Sequence, residues 1–388
     1  MDKNEKELLF ELFSLSLGTK SKNINIKISN EELKDIYSIS KKHDVAHLIG
    51  FFLIDNQIIA SDNQYFNKFY HEYIMAVVRY ERINYEFSRI IEVLNSGGID
   101  FIPLKGMVMK SFYLQPWMRT SCDIDILIHE GDIDSATTLL FEKLNFKSKY
   151  IGTHDVSLYA PSGVHLELHF SLCEFNTKEA ANKILNNVWQ YSNTKGEGQS
   201  EKYLKDEMFY FYHIEHMAKH LKNGGCGIRP FLDIWVLTHN VNFDCSKRRN
   251  LLKNGGLEDF ATAVEDLANY WFGGGEPKEI TALLEKYVLN SGAYGSPQNK
   301  AIMNSTDKRY QTANLINKIW KPYNELKYWY PNLKNKRFLL PIYEVKRWRY
   351  LIMAGAINSR KRHNEKAGFE NCRYADEMLL LFDKLNIT

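Results

Sequence analysis

The segment 123–128, with the sequence Asp-Ile-Asp-Ile-Leu-Ile, constrains the fold more than any other stretch of the chain. It alternates polar and apolar residues and then becomes continuously apolar, which predicts a β-strand. Residues two apart on a strand share a face, with Cα atoms about 6.6 Å apart, so Asp123 and Asp125 present their carboxylates together. Such carboxylates raise each other's pKa unless a cation lies between them, and Mg²⁺ binds through carboxylates and phosphate oxygens. The segment therefore predicts either a metal–phosphate site or a solvated strand face that carries two acids.

The residues before this strand predict a phosphate-binding turn. A short strand is expected at 99–104, then Lys105 and Gly106, then a helix from 107 to about 114. A glycine at such a turn lets backbone N–H groups approach phosphate oxygens, and the start of a helix favours negative charge. Lys105 and Gly106 are therefore candidates for binding the phosphates of a ligand.

A third acid follows on a later strand. After the aspartates, the sequence predicts an amphipathic helix at 132–144 and a linker through Lys149. Residues 156–159 and 164–170 alternate on either side of a Pro-Ser-Gly turn, which predicts a β-hairpin. Glu167 lies on its second strand, on the face opposite to the neighbouring leucines. A third carboxylate on a neighbouring strand can meet the first two, and such a triad can hold two metal ions about 3.5–4 Å apart.

Helical patterns surround this segment, so the expected fold class is α+β with a small mixed sheet. We predict three regions: an N-terminal helical region at 1–96, a core at 97–175 and a C-terminal helical region at 176–388. Helices are expected at 5–17, 30–54, 64–95, 178–192, 206–221, 229–239 and 257–290, the last interrupted at a Gly-Gly-Gly sequence. A polar linker is expected at 195–200, and an aromatic, basic stretch begins near residue 311 and includes Arg360-Lys361-Arg362. We interpret that stretch as a solvated helix face.

Composition excludes several classes of protein. The net charge of +3 over 388 residues is too small to argue for nucleic acid or a membrane surface. No apolar run approaches the roughly 20 residues that span a bilayer, and the first residues lack a signal-peptide cleavage region. The five cysteines are widely spaced without a Cys-x-x-Cys pair, so neither a disulfide framework nor a structural zinc site is indicated. A reducing cytoplasm is the expected location.

The order of these motifs resembles the nucleotidyltransferase superfamily that includes DNA polymerase beta. In that superfamily a glycine-containing turn opens a helix, an Asp-x-Asp strand follows, and a third acid lies on a later strand. More narrowly, the chain resembles the bacterial family of uncharacterised nucleotidyltransferases over about residues 30–240. The resemblance is carried by Leu104-Lys105-Gly106, the stretch from Arg119 to Ile128, Glu167-Leu168-His169 and Arg229-Pro230-Phe231-Leu232-Asp233-Ile234.

This resemblance implies a site and a reaction. Asp123, Asp125 and Glu167 would be the catalytic acids and would hold Mg²⁺ or Mn²⁺, with Glu167 acting as a ligand or as the base. The substrate would be a nucleoside triphosphate, whose α-phosphate is attacked by an acceptor hydroxyl while pyrophosphate leaves. The transferred group would be a nucleoside monophosphate, with AMP as one candidate. The sequence does not identify the acceptor: a small molecule, a protein side chain and an RNA end stay open, with nucleic acid the less favoured class. A membrane is not expected as a partner.

The candidate nucleotide-binding residues are Lys105, Gly106, Arg119, Ser121 and His169. The superfamily usually has Gly-Ser or Gly-Gly where this chain has Lys-Gly, and a lysine can replace the lost hydroxyl contact with a charge on the triphosphate. Arg119 either contacts a phosphate or pairs with the first aspartate. Ser121 is also compatible with a packing role in the loop.

Two alternative functions stay open. His165, Glu167 and His169 share a strand face, and imidazole ligands suit Zn²⁺, so this segment would fit a zinc-dependent hydrolase. That function leaves the aspartate pair and the Lys-Gly turn without roles. The other alternative is a nucleotide-binding or regulatory module without catalysis.

Two helical patterns carry further candidates. His213, His216 and His220 are spaced i, i+3 and i+7 and share one helix face. They either pack between helices or line the nucleotide or acceptor pocket. Arg229 and Asp233 are one helical turn apart, which is the spacing of an ion pair within a helix.

Overall fold

Helices make up most of the described chain, and a small sheet lies between the helical regions. The computed structural model describes residues 3–18, 26–152, 154–173, 177–196, 198–300, 336–358 and 372–387, with the single positions 323, 326, 330 and 333. The first helices are α1 (Lys3–Ser16), α2 (Asn30–Lys42), α3 (Ala46–Asp55) and α4 (Phe66–Ser96). Two helices lie within the sheet region, α5 (Gly106–Met109) and α6 (Ile133–Leu144). The later helices are α7 (Glu179–Leu185), α8 (Asp206–Lys222), α9 (Arg229–Asn240), α10 (Cys245–Gly255), α11 (Glu258–Ala268), α12 (Glu279–Ser291), α13 (Leu340–Asn358) and α14 (Cys372–Lys384).

Five strands form the main sheet, and two form a separate small one. The strands are β1 (Phe101–Pro103), β2 (Asp123–Ile128), β3 (Lys147–Ile151), β4 (Asp155–Tyr159), β5 (His165–His169), β6 (Ser192–Thr194) and β7 (Lys202–Leu204). The main sheet has the order β1-β2-β5-β4-β3, and β6 pairs with β7. All neighbours in the main sheet are antiparallel except β2 and β5, which are parallel. Parallel neighbours need a long connection, and α6, β3 and β4 supply it. The predicted α+β class with a mixed sheet is confirmed.

The main sheet buries one apolar face against α4 and α6. On β2, Ile124 and Ile126 point to this side and are fully buried together with Leu140 of α6 and Ile90 of α4. Full burial of one such side chain contributes on the order of 1.5–3 kcal/mol, so this face fixes the register of the strand. The residues between the isoleucines consequently point the other way. Leu127, on that second face, belongs to the apolar cluster of the helical regions. The second face therefore lies towards these helices.

The helical regions before and after the sheet share a single apolar cluster. Phe10 of α1 stacks on Trp271 with ring centroids 4.5 Å apart, and Ser14 Oγ donates to Phe272 O at 3.1 Å. Trp271 and Phe272 lie in the π-helical turn Asn269–Gly273 that follows α11. The predicted region boundaries near residues 97 and 175 stay predictions.

Most predicted elements are present, and the differences have local causes. The helix predicted at 30–54 is interrupted after Lys42, where Asp44 adopts a left-handed φ of 55°. The helix predicted from 107 is a single α-helical turn followed by the 3-10 turn Lys110–Phe112. The linker predicted through Lys149 is wrong, because this segment forms the edge strand β3. An edge strand pairs on one side only and tolerates lysine, so its sequence lacks a clear alternation.

Two further segments differ in what the structure describes. The polar stretch predicted as a linker at 195–200 connects the strands of the β6–β7 hairpin. The basic triplet Arg360-Lys361-Arg362 lies outside the described residues. Within α13, Arg347 pairs with Glu344 at 2.8 Å. None of the described helices combines the length and apolarity needed to cross a membrane.

Candidate functional site

Three acids meet on the second face of the sheet, where β2 and β5 run in parallel. The register places Asp125 opposite Glu167 and Asp123 opposite His165. Asp125 is 3% exposed, whereas the other three side chains are half-buried. Ligand atoms of Asp123, His165 and Glu167 all lie within 4.8 Å of one another. The structure therefore brings together the three acids that the sequence pattern selected.

A second group lies deeper and shares Glu167 with the first. Ligand atoms of Asp125, Glu167 and His169 also lie within 4.8 Å of one another. Nε2 of His169 donates to Asp125 Oδ1 at 2.9 Å and lies 3.4 Å from Glu167 Oε2. Desolvation lowers the pKa of His169, but its hydrogen bonds to these two carboxylates outweigh that effect and raise it. The imidazole thus joins the two strands through their carboxylates.

Lys105 contacts this deeper group, which we call the inner group (Asp125, Glu167 and His169). Its Nζ donates to Asp125 Oδ1 at 2.8 Å, so this oxygen accepts from both Lys105 and His169. Burial tends to raise the pKa of Asp125, but Lys105 and His169 outweigh burial and lower it. Burial tends likewise to lower the pKa of Lys105, and the charge of Asp125 outweighs it and raises that pKa. Asp125 is consequently held as an anion and Lys105 as a cation.

The two half-buried acids of the outer group (Asp123, His165 and Glu167) have pKa values that are shifted in opposite directions. Burial, followed by repulsion from Asp125, raises the pKa of Asp123. The hydrogen bond from His169 is the largest cause of the lowered pKa of Glu167. Asp123 forms no ion pair with any residue that the structure describes. The outer half of the site thus has excess negative charge, which is the electrostatic condition that favours a bound cation.

The turn before α5 holds Lys105 and Gly106 against the strand of the aspartates. The N–H of Leu104 donates to Asp125 O at 3.0 Å, and Lys105 has φ 45° and ψ −121°. A Cβ on Gly106 would collide with Ser121 Oγ, so any larger residue at this position requires the Ser121 side chain to shift. These three predicted nucleotide-binding residues are therefore neighbours. Because α5 is one turn long, it contributes little of the helix dipole that the sequence pattern suggested.

Arg119 lies near the site but is bound to another helix. Its Nε donates to both carboxylate oxygens of Asp233 in α9, at 2.7 and 2.9 Å, and Tyr113 Oη donates to Asp233 Oδ1 at 2.8 Å. The alternative that Arg119 pairs with Asp123 is wrong. The predicted pairing within α9 is also wrong, because Arg229 bonds instead to Asp44 Oδ2 at 2.9 Å. Tyr113 was absent from the candidates, and its partner lies 120 positions away in sequence.

The histidine face of α8 lies beside the site. His213 is buried, and its Nδ1 donates to Phe209 O at 3.1 Å, which is a packing role. Burial lowers the pKa of His213 to about 4. Burial also lowers the pKa of His216, and the charge of Lys105 acts in the same direction. Nε2 of His216 lies 2.9 Å from Nε2 of His220. The charge of Lys105 also contributes to the lowered pKa of His213, so both histidines lie within the electrostatic range of this lysine.

The zinc alternative needs His165 and His169 on a single ion. Among the described residues the two histidines fall in different ligand groups, one with Asp123 and one with Asp125. Nε2 of His165 lies 3.2 Å from Ser157 Oγ, and its ring stacks on Tyr159 with centroids 4.7 Å apart. The two aspartates are divided between the same two groups, and Glu167 is the residue common to both. The described arrangement therefore does not place both histidines around one ion.

The chain is similar to a protein family and to a solved structure. A family model described as "Uncharacterised nucleotidyltransferase" matches residues 29–273, which is more than half of the chain and includes all the site residues above. Among solved structures, the chain is similar to an antigenic nucleotidyltransferase-like protein from Paracoccidioides brasiliensis, with 20% identity and a TM-score of 0.28. That match covers 46% of this chain and 89% of the other. A TM-score of this size does not establish a shared fold.

Proposed function

The chain belongs to the family of uncharacterised nucleotidyltransferases, and from this membership we propose that it transfers a nucleoside monophosphate from a nucleoside triphosphate to an acceptor hydroxyl. The observation that carries the proposal is the parallel register of β2 and β5, which places Asp123, Asp125 and Glu167 on one face. In the proposed reaction the acceptor oxygen bonds to the α-phosphorus, the bond to the pyrophosphate oxygen breaks, and the hydroxyl proton is removed.

The donor set fits a hard divalent cation, and we assign Asp123, Asp125 and Glu167 as its ligands. Carboxylate oxygens are the ligands that Mg²⁺ and Mn²⁺ prefer, and the excess negative charge around Asp123 supports a cation there. When bound, such an ion would neutralise phosphate charge and polarise the reacting phosphoryl group. Mg²⁺ and Mn²⁺ are equally compatible with these three carboxylates.

The protein's own residues have distinct tasks in this proposal. Lys105 and His169 fix Asp125 by hydrogen bonds to one oxygen. An ammonium has three N–H donors, so Lys105 retains donors for a phosphate oxygen. Glu167 is half-buried and has a lowered pKa because of the hydrogen bond from His169. It is therefore ionised at neutral pH, and in this proposal it acts either as a ligand of the ion or as the base that accepts the hydroxyl proton.

The identity of the acceptor would be decided outside the sheet. The second face of the sheet lies towards the helical regions, and α8 places His216 near Lys105. We therefore assign the choice of acceptor, a small molecule or a protein, to these helices. AMP as the transferred group and a bacterial, cytoplasmic setting belong to the same proposal.

The test uses the full chain with α-³²P-labelled triphosphates, Mg²⁺ or Mn²⁺, and a panel of hydroxyl-bearing small molecules and proteins. We expect label transfer and pyrophosphate release, both abolished by Asp123→Asn. The matched control is Asp134→Asn, because Asp134 is an exposed acid on α6, on the other side of the sheet. Triphosphate binding without pyrophosphate release under every condition would refute the transferase.

That result would favour the second candidate, a nucleotide-binding or regulatory module without catalysis. One observation supports this candidate: the ammonium of Lys105 lies 2.8 Å from the most buried of the three acids. A module of this kind would keep its affinity for triphosphate and would show no turnover.

A further inference from the structure

The inner half of the acidic site contains a cation that belongs to the protein. Nζ of Lys105 is 2.8 Å from Asp125 Oδ1, and Nε2 of His169 is 2.9 Å from the same oxygen. The side chains of Asp125 and His169 are each 5% exposed. An ammonium at this distance supplies a full positive charge to a buried carboxylate, as a metal ion would. Asp125 therefore reaches electrostatic balance without a metal ion.

The backbone around Lys105 supports a dedicated role for this side chain. Its φ of 45° with ψ −121° lies in a region that favours glycine, and such a conformation costs on the order of 1–3 kcal/mol. The Lys105 carbonyl accepts from the N–H groups of Val108 and Met109 at 3.2 and 2.9 Å. These hydrogen bonds fix the turn. A lysine stands where the backbone conformation favours glycine, and its ammonium contacts Asp125.

The outer half of the site has the opposite character. Asp123, His165 and Glu167 are half-buried, and their ligand atoms lie within 4.8 Å of one another. Nδ1 of His165 is 3.8 Å from Glu167 Oε1, and Asp123 has no ion pair among the described residues. This group offers two carboxylates and one imidazole nitrogen. Imidazole is a better ligand for transition metals than for Mg²⁺, so the set favours Mn²⁺ over Mg²⁺.

We propose that Lys105 is a tethered cation that occupies the inner position, and that the protein holds one exchangeable divalent cation at Asp123, His165 and Glu167. The inference rests on the proposed function, because it takes the acids as the cation site. It adds the number of exchangeable ions and the reason for that number. It also replaces Asp125 by His165 in the ligand set proposed above, because Lys105 already balances the charge of Asp125.

The experiment counts Mn²⁺ ions bound to the metal-free full chain by electron paramagnetic resonance of free Mn²⁺, without nucleotide. We expect one ion per chain for the wild type and two for Lys105→Met, because removal of the ammonium opens the inner carboxylates. The double variant Lys105→Met/Asp125→Asn returns to one ion. Two ions on the wild type, or no second ion on a folded Lys105→Met, would overturn the inference.

A matched control is available five residues further along the chain, in the 3-10 turn. Nζ of Lys110 donates to Asn84 Oδ1 at 2.9 Å and lies 5.1 Å from the Phe87 ring centroid. Burial lowers the pKa of Lys110 to about 8, and its hydrogen-bond partner is an amide and not a carboxylate. Lys110→Met should bind one Mn²⁺ ion, as the wild type does. Two ions on this control would show that loss of any nearby lysine charge is sufficient, and would also overturn the inference.

Stability supplies a second readout that does not depend on activity. In EDTA, Lys105→Met should melt below the wild type because Asp125 loses its cation, and Mn²⁺ should raise its Tm by more than it raises that of the wild type. Equal Mn²⁺-induced shifts in both proteins would contradict the inference. If Lys105→Met does not fold, two ions on the wild type would still overturn the inference.

The outcomes separate this inference from the proposed function. A wild type that binds one Mn²⁺ ion but neither binds nor uses triphosphates would retain the tethered cation and refute the transferase. A wild type that binds two ions and transfers nucleotides would refute the tethered cation and support the transferase. A chain that binds no Mn²⁺ at all would overturn both.

Discussion

At the scale of single residues, Lys105 adopts an unfavourable backbone conformation, and its ammonium forms an ion pair with Asp125. A residue without a β-carbon adopts φ 45° and ψ −121° more readily. We therefore expect Lys105→Gly to be more stable than Lys105→Ala by about 1 kcal/mol, although both lose the ion pair with Asp125. Urea denaturation of the two variants measures this difference. An alanine variant as stable as the glycine variant would mean that the turn relaxes freely.

Steric contact with Ser121 disfavours any residue larger than glycine at position 106. An added Cβ would lie 2.0 Å from Ser121 Oγ and 3.2 Å from Ser121 Cβ. Gly106→Ala should lower the free energy of unfolding by about 1–3 kcal/mol, as overpacking does, and Ser121→Gly in the same chain should recover much of it. Gly131→Ala is the control, because nothing lies within 4 Å of a Cβ there. Additive losses in the double variant would argue against the contact.

His47 makes stability depend on pH. It is buried, its Nε2 donates to Met118 O at 2.8 Å, and burial lowers its pKa to about 4. Its ordinary pKa is about 6.5, so between these values the unfolded chain takes up a proton that the folded chain does not. The stability contributed by neutral His47 is complete above about pH 6.5 and is lost as the pH falls towards 4.

The variant His47→Gln tests this dependence, because an amide can donate the same hydrogen bond without titrating. Between pH 6.5 and 4 we expect the slope of unfolding free energy against pH to decrease by up to about 1.4 kcal/mol per pH unit. Denaturation at several pH values measures the slope. The exposed His71, changed to Gln, should leave it unaltered, and equal slopes for all three proteins would exclude His47 as the titrating group.

At the scale of elements, α9 fixes the segment that leads into β2. Asp233 accepts from Arg119 and Tyr113, and Nη1 of Arg229 lies 3.4 Å from Thr120 O. Arg119 and Asp233 are largely buried, with side chains 11% and 3% exposed. The position of the first aspartate on β2 thus depends on a helix far along the chain.

Removal of the Asp233 charge should be costly. Asp233→Asn leaves Arg119 buried without a counter-charge, and we expect a loss of about 3–5 kcal/mol. Tyr113→Phe removes one hydrogen bond to the same carboxylate and should cost about 1 kcal/mol. Chemical denaturation of the single and double variants gives the coupling energy. Equal losses for the two single variants would show that the ion pair is not the dominant contact.

The sequence predicts elements better than it predicts partners. β2 was found at its observed bounds because its apolar run and its paired acids require an extended strand. The sequence does not predict the β6–β7 hairpin, because strands of three residues are too short to show an alternation of polar and apolar side chains. Because side chains alternate between the two faces of a strand, the sequence predicts which face carries Asp125 and which face carries Glu167. The bonds of Lys105 to Asp125 and of Arg119 to Asp233 depend on how helices pack, which no local pattern encodes.

At the scale of the whole molecule, the sheet depends on α4. Ile83, Ile90, Val93 and Leu94 of this helix belong to the apolar cluster that covers β2 and β5. We therefore expect a fragment of residues 97–175 to lack cooperative unfolding, whereas a fragment that begins at residue 64 retains more structure. Circular dichroism during thermal unfolding compares the two fragments. A cooperative transition in the shorter fragment would show that α6 alone covers the sheet.

The parallel pairing of β2 with β5 has a consequence for how the protein reaches its native state. Most contacts of a helix are local, but this pairing joins strands that are distant in sequence, with a helix and two other strands between them. Contacts of this kind form slowly, because closure of a long loop precedes any gain from them. The acids are assembled only when this closure is complete. A nascent or partly folded chain therefore has no complete site, and its capacity to bind a cation appears together with its final topology.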